Sequence, residues 1–118
     1  MKNEQIVLKI SDLTALDIAV SSDEGDKIYN RIVRILSEYE VLVLDFQGIM
    51  LLTTAFLNAA IGQLYKDYSS EELSLRLKLM NVNDDDLPLF KKVTDRAKEY
   101  FNNADSFKRT TNEILGSE

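Results

Sequence analysis

Val41-Leu42-Val43-Leu44-Asp45-Phe46-Gln47-Gly48 is the stretch that decides the fold. Its first four residues are apolar on both faces, short and rich in Val, and the run closes on Asp and Gly. That pattern predicts a central parallel strand covered by helices from both sides. Asp45 then stands at the C-terminal end of the strand, where open α/β sheets place their ligands. The same Asp, through its carboxylate, can instead organise the turn to Gly48 by accepting from nearby amides.

On the N-terminal side, Ser21 or Ser22 can cap a helix whose first turn carries Asp23, Glu24 and Asp26, acids that complement the positive end of the helix dipole. Ile28, Ile32, Ile35, Leu36 and Tyr39 recur at helical spacing, while Lys27, Arg31 and Arg34 take the other side. Further upstream, Ile6, Leu8 and Ile10 alternate with Val7 and Lys9, which predicts a half-buried first strand over Gln5 to Ile10. A short second strand is expected over Asp17 to Val20.

On the C-terminal side, Ala55 to Tyr65 is apolar nearly all round and predicts a largely buried helix that Thr53-Thr54 introduces. Leu73, Leu75, Leu77 and Leu79 alternate with Ser74, Arg76 and Lys78, the pattern of a half-buried edge strand. Asn83-Asp84-Asp85-Asp86 reads as a polar turn. Pro88 suits the first turn of a helix whose apolar face is Phe90, Val93, Ala97, Tyr100 and Phe101. A last short helix is expected from Asp105 or Ser106 to Leu115, with Phe107, Thr111 and Ile114 as its docking stripe. Strands alternating with helices imply an α/β domain with a small, mainly parallel sheet of four strands or so, and 118 residues fit one domain over 1–118.

Composition narrows the function. The chain has neither His nor Cys, so imidazole relays, thiol nucleophiles and the usual Zn or haem ligand sets cannot be assembled, and no enzyme activity and no cofactor are expected. With 14 Lys and Arg against 20 Asp and Glu, the net charge of −6 opposes nucleic-acid and anionic-membrane binding. The first residues lack the apolar core of a signal peptide, and no apolar run nears the roughly 20 residues of a membrane span, which together suggest a cytoplasmic protein. The four glycines are too scattered for a phosphate-binding loop, and Asp84-Asp85-Asp86 lacks the spacing of a Ca²⁺ loop, so no metal site is expected.

One site remains informative. Either hydroxyl of Thr53-Thr54 can cap the following helix by accepting from amides two or three residues on. A phosphoryl group there would be held by the free helix amides and the dipole, and would place close to two negative charges on a surface a partner could cover. A second possibility is a crevice around Asp45 and Asn58 at the C-terminal edge of the sheet, suited to a small ligand or nucleotide.

Leu44-Asp45-Phe46-Gln47-Gly48, followed by the run from Leu52-Thr53-Thr54-Ala55-Phe56 to Gly62-Gln63-Leu64-Tyr65, resembles the bacterial STAS-like domains of unknown function. The likeness extends from the Val20 to Gly25 helix start to Ala97-Lys98-Glu99-Tyr100-Phe101. These domains are similar to the anti-sigma factor antagonists, α/β regulators that bind a kinase-type partner and are phosphorylated on a Ser at the start of the helix after the central strand. The resemblance implies that Thr54 takes the phospho-accepting position and Thr53 the place of the Asp that usually precedes it. Ala55-Phe56 replaces the small residue and Gly found there in the antagonists.

The expectation is a signalling module that binds a protein partner, a kinase-type ATPase or anti-sigma-like regulator, through Thr53, Thr54, Ala55, Phe56 and Asn58. Thr54, with Thr53 beside it, is the candidate phospho-acceptor. The edge strand and the acidic surface suggest a monomer or weak dimer.

Overall fold

The computed structural model describes the backbone of residues 2–116 and the side chains of residues 4–101. In chain order it runs β1 (Lys2–Lys9), β2 (Ile18–Ala19), α1 (Ser22–Glu38), β3 (Tyr39–Asp45), β4 (Leu51–Leu52), α2 (Thr54–Ala60), α3 (Ser70–Arg76), β5 (Leu77–Met80) and α4 (Leu87–Gly116). Turns of 3-10 helix lie at Ile10–Asp12, Gly62–Lys66 and Asp84–Asp86. β3 is the middle strand of a three-stranded parallel sheet, order β1-β3-β5, and β2 pairs with β4 in a separate parallel ribbon.

The register sets Ile6 beside Leu42, Leu8 beside Leu44, Leu42 beside Leu77 and Leu44 beside Leu79. Successive residues of a strand face opposite ways, so these side chains share one face. Ile6, Leu8, Leu42, Leu44 and Leu77 pack there with Ile28, Ile32 and Leu36 of α1, Phe56 and Leu57 of α2, and Phe90 and Val93 of α4. The expectation that helices cover β3 from both sides does not hold. Val7, Val41 and Val43 on the opposite face take no part in that core, and Val7 is 51% exposed. Val43 is buried, with Val7 and Lys78 as its register partners on either side.

α1 begins as its sequence implies. Ser21 Oγ caps the helix by accepting from Glu24 N at 3.1 Å, and its hydroxyl donates to Glu24 Oε1 at 3.4 Å. Gly25 then brings α1 against α2, since a Cβ there would lie 2.5 Å from the Phe56 carbonyl oxygen. The first strand covers Lys2–Lys9, so Ile10 falls in the following turn, where it is fully buried.

The strand expected over Leu73 to Leu79 is mostly helix. Ser69 caps α3 by accepting from Glu72 N at 3.0 Å, Glu71 and Glu72 occupy the first turn and Arg76 the last, and only Leu77–Met80 is strand. Favourable charges at both helix ends and a cap outweigh an alternation that was accidental: Leu73 is buried, yet Leu75 is 71% exposed. The helix expected over Ala55 to Tyr65 stops at Ala60 and resumes as the Gly62–Lys66 turn, with Phe56, Leu57, Ala60, Ile61 and Leu64 buried as expected.

α4 has Pro88 in its first turn and buries Phe90, Val93 and Ala97, but Tyr100 turns to solvent. Its backbone continues to Gly116 without the break expected before Asp105, and the stripe of Phe107, Thr111 and Ile114 lies outside the described side chains. Among the described residues no helix is long and apolar enough to cross a membrane.

Candidate functional site

The β2–β4 ribbon delivers the chain to α2. Ile18 pairs with Leu51 and Ala19 with Leu52, and Met50 N donates to Asp17 O at 2.7 Å. Thr53 locks the end of the ribbon to the helix. Its amide donates to Ala19 O at 3.2 Å, its hydroxyl donates to Val20 O at 2.8 Å, and the same oxygen accepts from Phe56 N at 3.2 Å. Thr53 is therefore the helix cap, with both its donor and an acceptor lone pair engaged.

Thr54 differs. It is the first residue of α2, half-buried, and its hydroxyl makes no hydrogen bond among the described residues. Ala55 and Asn58 beside it are exposed. Phe56, expected on the contact surface, is instead completely buried, because the third residue of α2 faces α1 and the sheet core. The ribbon supplies apolar surface that the sequence reading missed: Leu16, Met50 and Leu51 are 83%, 78% and 54% exposed. Isolated apolar residues on a surface are ordinary, but these three share one ribbon, since Leu16 adjoins Asp17, the partner of Met50. The only signal in the sequence is the run Ile49-Met50-Leu51-Leu52, whose outer residues are buried and whose inner pair is exposed.

Asp45 has a structural assignment. Its Oδ1 accepts from Gln47 N and from Asn81 Nδ2, each at 2.9 Å, and Phe46 N donates to Met80 O at 2.9 Å across the strand ends. The Asn81 hydrogen bond above all, then that from Gln47, holds the carboxyl below its usual value; burial opposes them and the charge of Lys9 assists. Gly48, at φ +85°, lets the turn close with Ile49 N donating to Phe46 O at 3.1 Å. Of the two roles open to Asp45, the geometry displays turn organisation.

Asn58 lies elsewhere, lining a cavity of about 280 Å³ between α2 and α4 with Gly62, Gln63, Arg96, Tyr100 and Phe101. The structure thus does not bring Asp45 and Asn58 into one crevice. Asp84, Asp85 and Asp86 flank Met50 around a polar hollow, and among the described residues no group of three or more acids is placed to hold a metal ion.

The stretch running from the first turn of α1 through β3, β4 and β5 to the start of α4 carries the Thr53 cap, the Thr54 hydroxyl and the Asp45–Asn81 clamp. A family model described as a STAS-like domain of unknown function (DUF4325) matches this stretch, residues 24–87, a narrower span than the resemblance read from the sequence. No curated protein and no solved structure matches the chain. The α/β order, the parallel sheet and this match together show that the chain belongs to the STAS-like domains of unknown function.

Proposed function

We propose that this chain is a non-enzymatic, cytoplasmic signalling module that docks onto a protein partner through the β2–β4 ribbon and the start of α2, with phosphorylation of Thr54 as the switch. The division of labour between the two threonines carries this reading. Thr53 performs the capping, so the hydroxyl of Thr54 is left without a structural duty. The ribbon that leads into it exposes the side chains of Leu16, Met50 and Leu51, apolar surface that a partner would dehydrate. The family likeness points to a kinase-type ATPase or an anti-sigma-like regulator as the partner.

A phosphoryl group on Thr54 would add close to two negative charges to this apolar margin, and removing such a group from water costs far more than burying a hydroxyl. Phosphorylation would therefore release the partner. A pull-down from native lysate with and without ATP, reading both the captured proteins and the intact mass of the bait, tests the reading. An ATPase captured together with a phosphate adduct on Thr54 supports it; capture without any adduct reduces it to constitutive binding, and no capture removes it.

A further inference from the structure

A second site lies on the far side of α4 and shares no residue with the Thr54 surface. α4 packs on α2 and on the Gly62–Lys66 turn, which leaves the edge strand β5 only partly covered. The result is a chamber of about 240 Å³ walled by Ile61, Leu73, Leu77, Leu79 and Phe90. Leu77 and Leu79 belong to the helix-covered face of the sheet, yet Leu79 remains 42% exposed, so this is core-type surface left open. A dry apolar cavity of roughly 150 Å³ holds a molecule the size of benzene, so the chamber accommodates a tail of somewhat greater bulk.

The mouth of the chamber is polar and carries a net positive charge, since Asp95 close by offsets only one of its two lysines. Lys91 and Lys98 are the charged residues lining it, with no acid among them. Lys91 is engaged by Asp95 at 2.7 Å, whereas Lys98 forms no ion pair among the described residues. Tyr65 stands at the same mouth, half-buried, and its phenol makes no hydrogen bond among the described residues. Burial, reinforced by the charge of Asp95, raises its pKa, so the phenol stays protonated and available as a donor. Tyr65, Ser70 and Lys98 also line an adjoining polar hollow, and the acids Asp67 and Glu71 belong to that outer space alone.

We infer that this chamber binds a medium-chain aliphatic carboxylate, its tail against Leu73, Leu77 and Phe90 and its head accepting from Lys98 Nζ and Tyr65 Oη. A few convergent polar groups at the lip of an apolar pocket are the usual form of a small-ligand site. Two lysines against the one acid Asp95 leave a net positive charge that disfavours a cationic head.

Titration of octanoate into the ¹⁵N-labelled full chain, followed by amide shifts, tests the assignment. Saturable shifts are expected at residues 65, 73, 77 and 79, with octan-1-ol binding about tenfold more weakly through loss of the charge-assisted hydrogen bond. The exposed Lys98→Glu substitution is expected to weaken octanoate by a similar factor or more while leaving the melting temperature unchanged, and Leu79→Trp, which obstructs the mouth, to abolish the shifts. Absence of saturable shifts, shifts located on another surface, equal binding of octylamine, or unaltered octanoate affinity in Lys98→Glu would each overturn it.

Discussion

Asn81 donates from Nδ2 to Asp45 Oδ1 at 2.9 Å, and it does so from a left-handed backbone conformation, φ +59°. The side chain of the residue just past β5 thus ties down the end of β3, where Phe46 N also reaches Met80 O. Asn is among the few residues other than Gly that adopt this conformation readily.

The clamp makes stability depend on pH with a definite sign. Asp45 has a lower pKa folded than unfolded, so between the two values the unfolded chain binds more protons and stability rises with pH. The contribution is complete above the ordinary value of 3.8 and is lost as pH falls through the folded value. At pH 7, Asn81→Gly is expected to lose about 1–2 kcal/mol for the hydrogen bond to a charged group, and Asn81→Ala roughly 1–2 kcal/mol more for the left-handed backbone. Urea melts at neutral pH and at pH 3 should show the loss in Asn81→Gly shrinking under acid.

Gly25 reverses the usual rule for helix glycines. Replacing a helical Gly by Ala ordinarily stabilises by roughly 0.5–1 kcal/mol. Here the new methyl would lie 2.5 Å from the Phe56 carbonyl oxygen and 2.7 Å from Ala59 Cβ. Gly25→Ala is expected to destabilise by roughly 1–3 kcal/mol, because α1 and α2 must separate. Denaturant unfolding checks the sign, which is the informative quantity.

Arg76 joins three parts of the chain. Its Nη2 donates to Leu36 O and Tyr39 O, its Nε to Glu40 O at 3.0 Å, and its Nη1 meets Glu72 Oε2 at 3.0 Å. The guanidinium thereby satisfies carbonyls where α1 ends and β3 begins. Lys offers a point charge without the planar fork, so Arg76→Lys is expected to recover less than half of the roughly 2–3 kcal/mol lost in Arg76→Ala. Thermal melts of the two variants decide this.

Neighbouring threonines are expected to behave differently. Thr53→Ala removes a cap and the bond to Val20 O, an expected loss of about 1–2 kcal/mol, whereas Thr54→Ala should fall within about 0.5 kcal/mol of the wild type. Equal losses would place a structural role on Thr54.

The sequence made the frame of this fold legible because its strongest signals are local. Val41 to Leu44 announces the central strand, Ser21 and Glu24 the start of α1, and Pro88 the start of α4. What it hid depends on contacts between distant segments. The alternating leucines from Leu73 to Leu79 suit a strand as well as a helix, and the decision rests on the Ser69 cap and on carbonyls that Arg76 reaches some 36 to 40 residues back. Thr53 and Thr54 are indistinguishable as caps until Val20, just past β2, supplies the carbonyl that fixes the Thr53 hydroxyl. Phe56 looked like contact surface because its burial comes from packing against other elements, and Asp45 stayed open between a ligand role and a turn role because its partner Asn81 is 36 residues away. The apolar margin of Leu16 and Met50 likewise exists only once β2 pairs with β4.

The most direct measurement is the affinity of the captured partner for three forms of the protein: wild type, Thr54→Ala and Thr54→Glu. Thr54→Ala is expected to bind like the wild type, and Thr54→Glu at least about tenfold more weakly, a difference of some 1.4 kcal/mol, because its carboxylate must be buried at the interface. Equal affinity of all three would contradict a switch at Thr54.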